Sequence, residues 1–211
     1  MVRRGGTLPF YAGGRVLIKT WGVNEVAKVT RKATPWLYPV PPVLVSCQDA
    51  DVKNIITLAW AGVACSDPVL ISLGIRPERH SYDLIKRSGE FAVNMPMASQ
   101  VQQVDLCGTV SGRQVDKFAE CGFTAQPGEL VRAPLIAECP VNLECRVTQV
   151  IPLGSHDLFL GEVLLVHYDE EHLVNGRFDL SLVDPLAYGL GSYFRLGECV
   201  GRHGDSVRRK G

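Results

Sequence analysis

Short apolar runs separated by turn-forming residues make up the chain from about residue 42 onward. The runs are rich in Val, Ile, Leu and Thr, and Gly, Pro, Asp and Asn lie between them. This pattern is typical of β-strands bounded by turns. It predicts strands near residues 42–48, 55–61, 69–75, 90–94, 139–151, 157–168 and 192–197.

Three short helical segments interrupt the strand pattern. The first is predicted to begin at Ser81, a favourable N-cap residue, and to end at Gly89, a favourable residue just past a helix end. A second runs from about Ser99 to Cys107, and a third lies in "VDKFAECG". Because strands and helices do not alternate strictly, the pattern favours a mainly β fold, a small closed barrel with short helices outside, over a doubly wound sheet.

Composition and charge narrow the class of protein. The chain has 211 residues, 46% of them hydrophobic, with 22 basic and 22 acidic side chains, which is enough for one well-buried core. This balance argues against a protein that binds nucleic acid by broad phosphate neutralisation. No apolar run approaches the roughly 20 residues that span a bilayer, and "MVRRGGTLPFYAGG" lacks the apolar core of a signal peptide. We therefore expect a soluble, cytoplasmic protein that binds neither nucleic acid nor membrane.

The cysteines and histidines show no metal-binding or disulfide pattern. The seven cysteines are odd in number and contain no CxxC or CxxH spacing, and the five histidines contain no HxH or HExxH. We expect most of these thiols to be buried and inert, with Cys107 as the candidate for an exposed thiol whose reactivity stays open.

The stretch "VLISLGIRPERHSYDLIKRSGEF" reads as a strand, a tight connection and a helix. The first turn of a helix offers unpaired N–H groups and the positive end of the dipole, and Arg76, Arg79 and Ser81 add donors suited to a phosphate. In the alternative interpretation Ser81 only caps the helix, and the arginines are solvated or paired with Glu78 and Asp83.

The preceding stretch, "DVKNIITLAWAGVACSDP", combines a polar entry with small and β-forming residues. Small residues such as Ala59, Ala61 and Gly62 let a flat ring approach a strand, where main-chain groups can bind its polar edge. The alternative is an ordinary barrel strand with Trp60 in the core.

Several segments occur together in a fixed order, which is more specific than any one of them. They are "NIITLAWAGVACSDPVLISLGIRPERHSYDLIKRSGEFAVNMP", "VDLCGTVSGRQVDKF", "APLIAECPVNLECRV" and "GSHDLFLGEV". On these segments the chain resembles the flavoredoxin branch of the flavin reductase-like proteins, which bind FMN on a split β-barrel. The resemblance covers residues 38–198 and leaves out an N-terminal arm, residues 1–37, and a basic C-terminal tail, residues 199–211.

The resemblance implies a homodimer of FMN-binding split β-barrels, each holding one non-covalent FMN. The segment from Asn54 to Ala64 would line the flavin ring, and Arg76, Ser81 and Tyr82 would hold the phosphate. The implied cofactor-binding residues are Lys53, Asn54, Thr57, Leu58, Ala59, Trp60, Ala64, Arg76, Ser81, Tyr82, Ser111 and Lys117.

Two kinds of side chain are candidates for assisting the chemistry. His156 of "GSHD" is the candidate catalytic residue, as a hydrogen-bonding partner of the flavin edge or the nicotinamide; in the alternative interpretation it only fixes the loop beside Asp157. Lys53 or Lys117 would stabilise negative charge on a reduced ring.

Three functions remain open at this point. The first is an FMN-dependent reductase that takes hydride from NADH or NADPH and passes electrons to free flavin or another acceptor. Since no GxGxxG motif is present, the nicotinamide would visit the open face of the flavin without a dedicated Rossmann site. The second is an electron carrier that reduces a redox partner protein, and the third is a barrel without flavin that acts as an interaction module.

Overall fold

The computed structural model describes residues 27–207, and the chain divides into two units, Met1–Leu37 and Tyr38–Gly211. In the first unit, residues 27–37 form neither helix nor strand. Residues 1–26 of the N-terminal arm and the basic residues at positions 208–210 lie outside the described residues. Within positions 27–207, no helix is long and apolar enough to cross a bilayer.

The second unit is mainly β, as the sequence predicts. It contains thirteen strands in the described part, numbered in chain order. They are β1 (Val43–Asp49), β2 (Val52–Leu58), β3 (Ala61–Ser66), β4 (Val69–Ile75), β5 (Glu90–Met95), β6 (Ala125–Gln126), β7 (Leu135–Ile136), β8 (Val141–Pro152), β9 (Asp157–Tyr168), β10 (Leu173–Val174), β11 (Arg177–Phe178), β12 (Leu186–Gly189) and β13 (Ser192–Arg195).

Seven of these strands form one antiparallel sheet in the order β2-β1-β5-β8-β9-β4-β3. The two edge strands, β2 and β3, are consecutive in the chain and are joined by Ala59 and Trp60 alone. The main-chain N–H of Gly74 in β4 donates to the carbonyl of Trp60 at 2.8 Å. The sheet therefore curves until its two edges approach each other at the β2–β3 turn.

Short helices pack against this sheet. They are α1 (His80–Ser88), α2 (Val101–Thr109) and α3 (Lys117–Cys121), and a 3₁₀ turn at Ala98–Gln100 precedes α2. Helix α1 ends as predicted, because Gly89 adopts φ 70° and its N–H donates to the carbonyl of Ile85. In α3 the side chain of Asp116 caps the first N–H groups.

The start of α1 corrects the sequence analysis. The N-cap residue is Arg79, so the assignment of Ser81 as the cap is wrong. Ser81 is the second residue of the helix and is fully buried. Serine is a common N-cap residue, and this misled the prediction. Here the Ser81 hydroxyl accepts a hydrogen bond from the Asn54 side chain on β2.

Two core clusters share the residues of the sheet. Alternate side chains of β1 point in opposite directions: Val45 belongs to one cluster with Ile85 of α1 and Phe91, and Leu44 belongs to the other. The second cluster lies under α2 and α3 and includes Phe118. Because side chains alternate along β1, this strand packs against α1 through one cluster and against α2 and α3 through the other.

Gly161 on β9 permits this close packing. A Cβ atom at Gly161 would lie 2.3 Å from Cζ of Phe91, a ring that is fully buried and has no room to move. We expect Gly161→Ala to lower the free energy of unfolding by about 2 kcal/mol through overpacking. Urea unfolding measures this, and Gly197→Ala is the control, since its Cβ would meet no atom within 4 Å. An unchanged unfolding midpoint for Gly161→Ala would contradict this packing.

Candidate functional site

Three adjoining cavities lie along β2 and the start of α1. The helix cavity, of about 130 Å³, lies at the N-terminus of α1. The strand cavity, of about 320 Å³, lies along the end of β2 and shares Ile56 and Arg79 with it. The side cavity, of about 370 Å³, shares Thr57, Ala59 and Tyr188 with the strand cavity. The three cavities are therefore neighbours along β2.

The helix cavity has donors without protein partners. No side chain caps the N-terminus of α1. The main-chain N–H groups of His80 and Ser81 have no acceptor within residues 27–207. The Ser81 oxygen accepts from Nδ2 of Asn54 at 2.8 Å, and its O–H can donate either to the Cys47 thiol or into the cavity that the residue lines. An anion placed here would satisfy all of these donors.

Positive charge surrounds the same cavity. Arg79, His80 and Lys117 line it, with Glu78 as the acidic side chain among its lining residues. Burial, followed by the cations of Arg113 and Lys117, lowers the pKa of His80. The two cations oppose protonation of His80 more than the Asp83 carboxylate favours it, and a bound anion would reduce this repulsion.

Lys117 is held in the cavity wall by the backbone. Its side chain is buried, and Nζ donates to the carbonyls of Ile55 at 2.8 Å and Cys107 at 2.7 Å. Burial lowers the pKa of its ammonium group. These two bonds tie the start of α3 to both β2 and α2, and so fix the position of the charge.

Gly112 brings the loop after α2 close to β2. A Cβ atom at this position would lie 2.0 Å from Oδ1 of Asn54 and 2.6 Å from its Cγ. Asn54 is buried and holds Ser81, so it cannot move aside without disturbing the helix cavity.

We expect Gly112→Ala to weaken binding of a phosphate-bearing ligand by about tenfold, because the displaced Asn54 would no longer hold the Ser81 hydroxyl. Fluorescence titration with FMN measures the change. Gly62→Ala is the matched control, since its nearest neighbour would be Ser72 Oγ at 4.0 Å. Equal affinity in the two variants would show that the close approach at Gly112 has no role in the site.

The strand cavity presents a flat wall and main-chain groups. Residues 56–60 line it on one side, with Gly74 and Tyr188 nearby. The Trp60 ring packs against His156 with centroids 4.4 Å apart. Burial, and then the Arg76 cation, lowers the pKa of His156. The imidazole is therefore held towards its neutral form, in which it can both donate and accept a hydrogen bond.

Most of the predicted site residues are brought together. Asn54, Ser81, Ser111 and Lys117 line the helix cavity. The strand cavity is lined by Thr57, Leu58, Ala59, Trp60, Arg76 and His156.

The two arginines are placed differently from the prediction. Arg76 lines the strand cavity, with NH1 3.7 Å from the Glu78 carboxylate, and does not line the helix cavity. Arg79 lines both. Lys117 lines the helix cavity, and its role in stabilising a reduced ring stays a prediction. The cations that line the strand cavity are Arg76 and Arg79.

Three predicted residues lie elsewhere. Lys53 packs over the Phe118 ring at 4.9 Å and lines a separate cavity of about 560 Å³, because it points to the face of β2 opposite Asn54. Ala64 is exposed at an irregularity of the β3–β4 pairing. The Tyr82 hydroxyl donates to Oδ2 of Asp157 at 2.6 Å in the core, so it is not available to a phosphate.

Two further expectations concern cysteine and metal ligands. Cys107 is 1% exposed, so the expectation of an exposed thiol is wrong, because α3 covers it. The ligand atoms of Asp169, Glu171 and His172 lie within 4.8 Å of one another. This is a local cluster on an acidic turn, and it is not among the residues that line the three cavities.

Several residues that line the cavities are not among the predicted site residues. Tyr188 comes from the β12–β13 hairpin and Gly112 from the loop after α2. Neither position carries a local signal. His80 did carry one, since it directly precedes Ser81 at the predicted helix start.

The donors and shapes of the cavities fit a phosphate monoester joined to a planar ring. An uncapped helix N-terminus, a hydroxyl and a guanidinium group suit a phosphate dianion. The adjoining strand cavity, with the carbonyls and N–H groups of an edge strand, suits the polar edge of a flat heterocycle. The shared residues Ile56 and Arg79 join the two parts into one elongated site.

Comparison with known proteins agrees with this geometry. Residues 37–197 match the family model of the flavin reductase like domain. Flavoredoxin of Desulfovibrio vulgaris (Miyazaki F) superposes with a TM-score of 0.80 and 33% sequence identity, covering 86% of this chain and 100% of that one. The FMN-binding protein from Thermus thermophilus, solved with bound 1-cyclohex-2-enone, has a TM-score of 0.72 and 26% identity, with coverage of 85% and 99%. An NADPH-flavin oxidoreductase of Streptomyces viridifaciens is 29% identical over 144 residues, which are 67% of this chain and 71% of that protein.

Proposed function

The chain belongs to the flavin reductase-like family, and from that premise we propose that it is an FMN-binding, NAD(P)H-dependent flavin reductase. The observation that carries the proposal is the uncapped, donor-rich start of α1 beside a flat groove. The similarity to an FMN-binding protein and to an NADPH-flavin oxidoreductase supports both the cofactor and the reductant.

The helix cavity would hold the FMN phosphate, and the strand cavity would hold the ring. Ser81, Arg79 and the N–H groups that begin α1 would bind the FMN phosphate, with Lys117 as a fixed charge behind them. The end of β2, from Thr57 to Trp60, would orient the ring through main-chain groups.

When bound, FMN would accept a hydride from NADH or NADPH and pass the electrons to free flavin or another acceptor. The protein supplies position and charge. Arg76 and Arg79 place positive charge beside the strand cavity, where it would stabilise an anionic ring. The Trp60–His156 pair would form one wall of the ring site, and burial together with the Arg76 cation lowers the pKa of His156 towards the neutral imidazole.

A carrier function is the second candidate. The similarity to flavoredoxin, at 33% identity over the whole of that protein, favours a protein that passes electrons to a redox partner with little NAD(P)H turnover. The open strand cavity is compatible with either reductant.

A homodimer is also part of the proposal. Strand β3 is an edge of the main sheet, and its Val63 side chain is 75% exposed. An edge strand with exposed apolar residues is suited to contact with a second copy. Light scattering of the purified protein should give twice the monomer mass.

An anaerobic absorbance experiment tests the cofactor and the reaction together. The purified protein should show the absorbance bands of oxidised flavin, or acquire them when FMN is added. NADH or NADPH should then bleach these bands quickly. Bands that persist until a chemical reductant is added would favour the carrier. Failure to bind FMN, or equal affinity for FMN and riboflavin, would refute the phosphate site.

A further inference from the structure

Two buried thiols meet between α2 and α3. Sγ of Cys107 lies 3.6 Å from Sγ of Cys121, and the residues are 1% and 8% exposed. A disulfide requires the sulfurs to approach to about 2.0 Å, and the two thiols are already in hydrogen-bond contact.

One member of the pair, Cys107, belongs to the wall of the helix cavity. Its carbonyl accepts from Nζ of Lys117. The segment between the two cysteines also carries Ser111 and Gly112, which line the same cavity. A bond between the sulfurs would therefore close a loop that contains this whole wall.

We propose that Cys107 and Cys121 form a reversible disulfide that fixes the wall of the helix cavity and strengthens binding of the ligand's phosphate. The second half of this statement rests on the proposed FMN site, and the first half does not. A covalent link between α2 and α3 would order the Ser111–Lys117 loop before the ligand arrives, so less ordering remains to be done on binding.

The oxidant is hydrogen peroxide. The Cys121 thiolate, the more exposed of the two, attacks one peroxide oxygen; the O–O bond breaks and the departing hydroxide becomes water by taking a proton. Cys107 then attacks the resulting sulfenic sulfur and loses its own proton as the second water leaves. In sum, two thiols and one peroxide give one disulfide and two waters.

The surroundings make this reaction slow at neutral pH. Burial raises the pKa of the Cys121 thiol, while its contact with Cys107 and the Lys117 cation act in the opposite direction. Because the thiolate is the reacting form, the rate of bridge formation should increase with pH.

Peptide mapping of the full-length protein tests the bridge directly. Trypsin cleaves after Arg87, Arg113, Lys117 and Arg132, so each partner lies in a separate peptide with one cysteine. After peroxide treatment, alkylation and digestion, residues 88–113 and 118–132 should appear joined, and should separate on reduction. Cys139 and Cys145, which share one peptide, and Cys47 should remain alkylated. Absence of the joined species, or joining through other cysteines, overturns the proposal.

FMN titration of the reduced and oxidised protein tests the consequence. We expect affinity for FMN to rise about threefold to tenfold on oxidation, with little change for riboflavin, which lacks the phosphate. Cys121→Ala should abolish the effect, and Cys145→Ala, also a buried thiol but one that lines none of the three cavities, should keep it. Unchanged FMN affinity in the bridged protein overturns the coupling to the cavity. If the bridge forms but FMN binds to neither state, the proposed function fails while the thiol pair stands.

Discussion

Replacing Arg79 and Ser81 together with alanine will weaken FMN binding by about two orders of magnitude. Each residue offers a donor to a charged group, and such a bond contributes about 1.5–3 kcal/mol. Both line the helix cavity, and the Ser81 hydroxyl is held in place by Asn54. Fluorescence titration with FMN measures the loss.

Riboflavin and a matched variant make this experiment specific. Affinity for riboflavin should be almost unchanged, since only the phosphate contacts are removed. Arg87→Ala with Ser88→Ala removes the same two residue types at the other end of α1 and should leave FMN affinity intact. If the first variant binds FMN as tightly as the parent, the phosphate does not lie at the start of α1.

Lys117→Met will destabilise the fold strongly, because it removes two buried hydrogen bonds at once. The change leaves the carbonyls of Ile55 and Cys107 without their Nζ donor in a buried site. We expect a loss of about 3 kcal/mol in the free energy of unfolding, together with weaker FMN binding. Lys53→Met is the control, because Lys53 is exposed and packs over a ring.

The effect of Lys117→Met should depend on pH. Burial lowers the pKa of Lys117 below its ordinary value of 10.5, so the unfolded chain binds more protons than the folded one in the interval between the two. The stability of the parent relative to the variant should therefore be greatest above pH 10.5 and decline as pH falls from there to the lowered pKa. Urea unfolding at several pH values measures the difference, and a constant difference would show that the lysine titrates normally.

The strands could be predicted because their apolar residues are continuous in the chain. The runs at 69–75 and 157–168 became β4 and β9 with almost the predicted bounds. The run at 55–61 misled the prediction, since its apolar character continues through Ala59 and Trp60 while the backbone turns there into β3. A hydropathy pattern does not reveal a turn whose residues are themselves apolar.

The candidate site was predictable where it is local in sequence. Asn54, Thr57, Trp60 and Ser81 lie in the two stretches that the sequence singled out. Alternation along β2 explains the error at Lys53, which faces α3 while its neighbour Asn54 faces the helix cavity. The contribution of Tyr188 depends on how a late hairpin folds back, and no spacing in the sequence encodes that position.

The two edges of the main sheet meet at the β2–β3 turn, and the strand cavity lies at this junction. No ladder of paired residues joins β2 to β3 in the described part of the chain, and the Gly74–Trp60 hydrogen bond lies across the junction. Local separation of the two edges should therefore cost less free energy than breaking a strand pair. Amide hydrogen exchange at Gly74 would report how often the two edges separate, independently of exchange within β1 and β5.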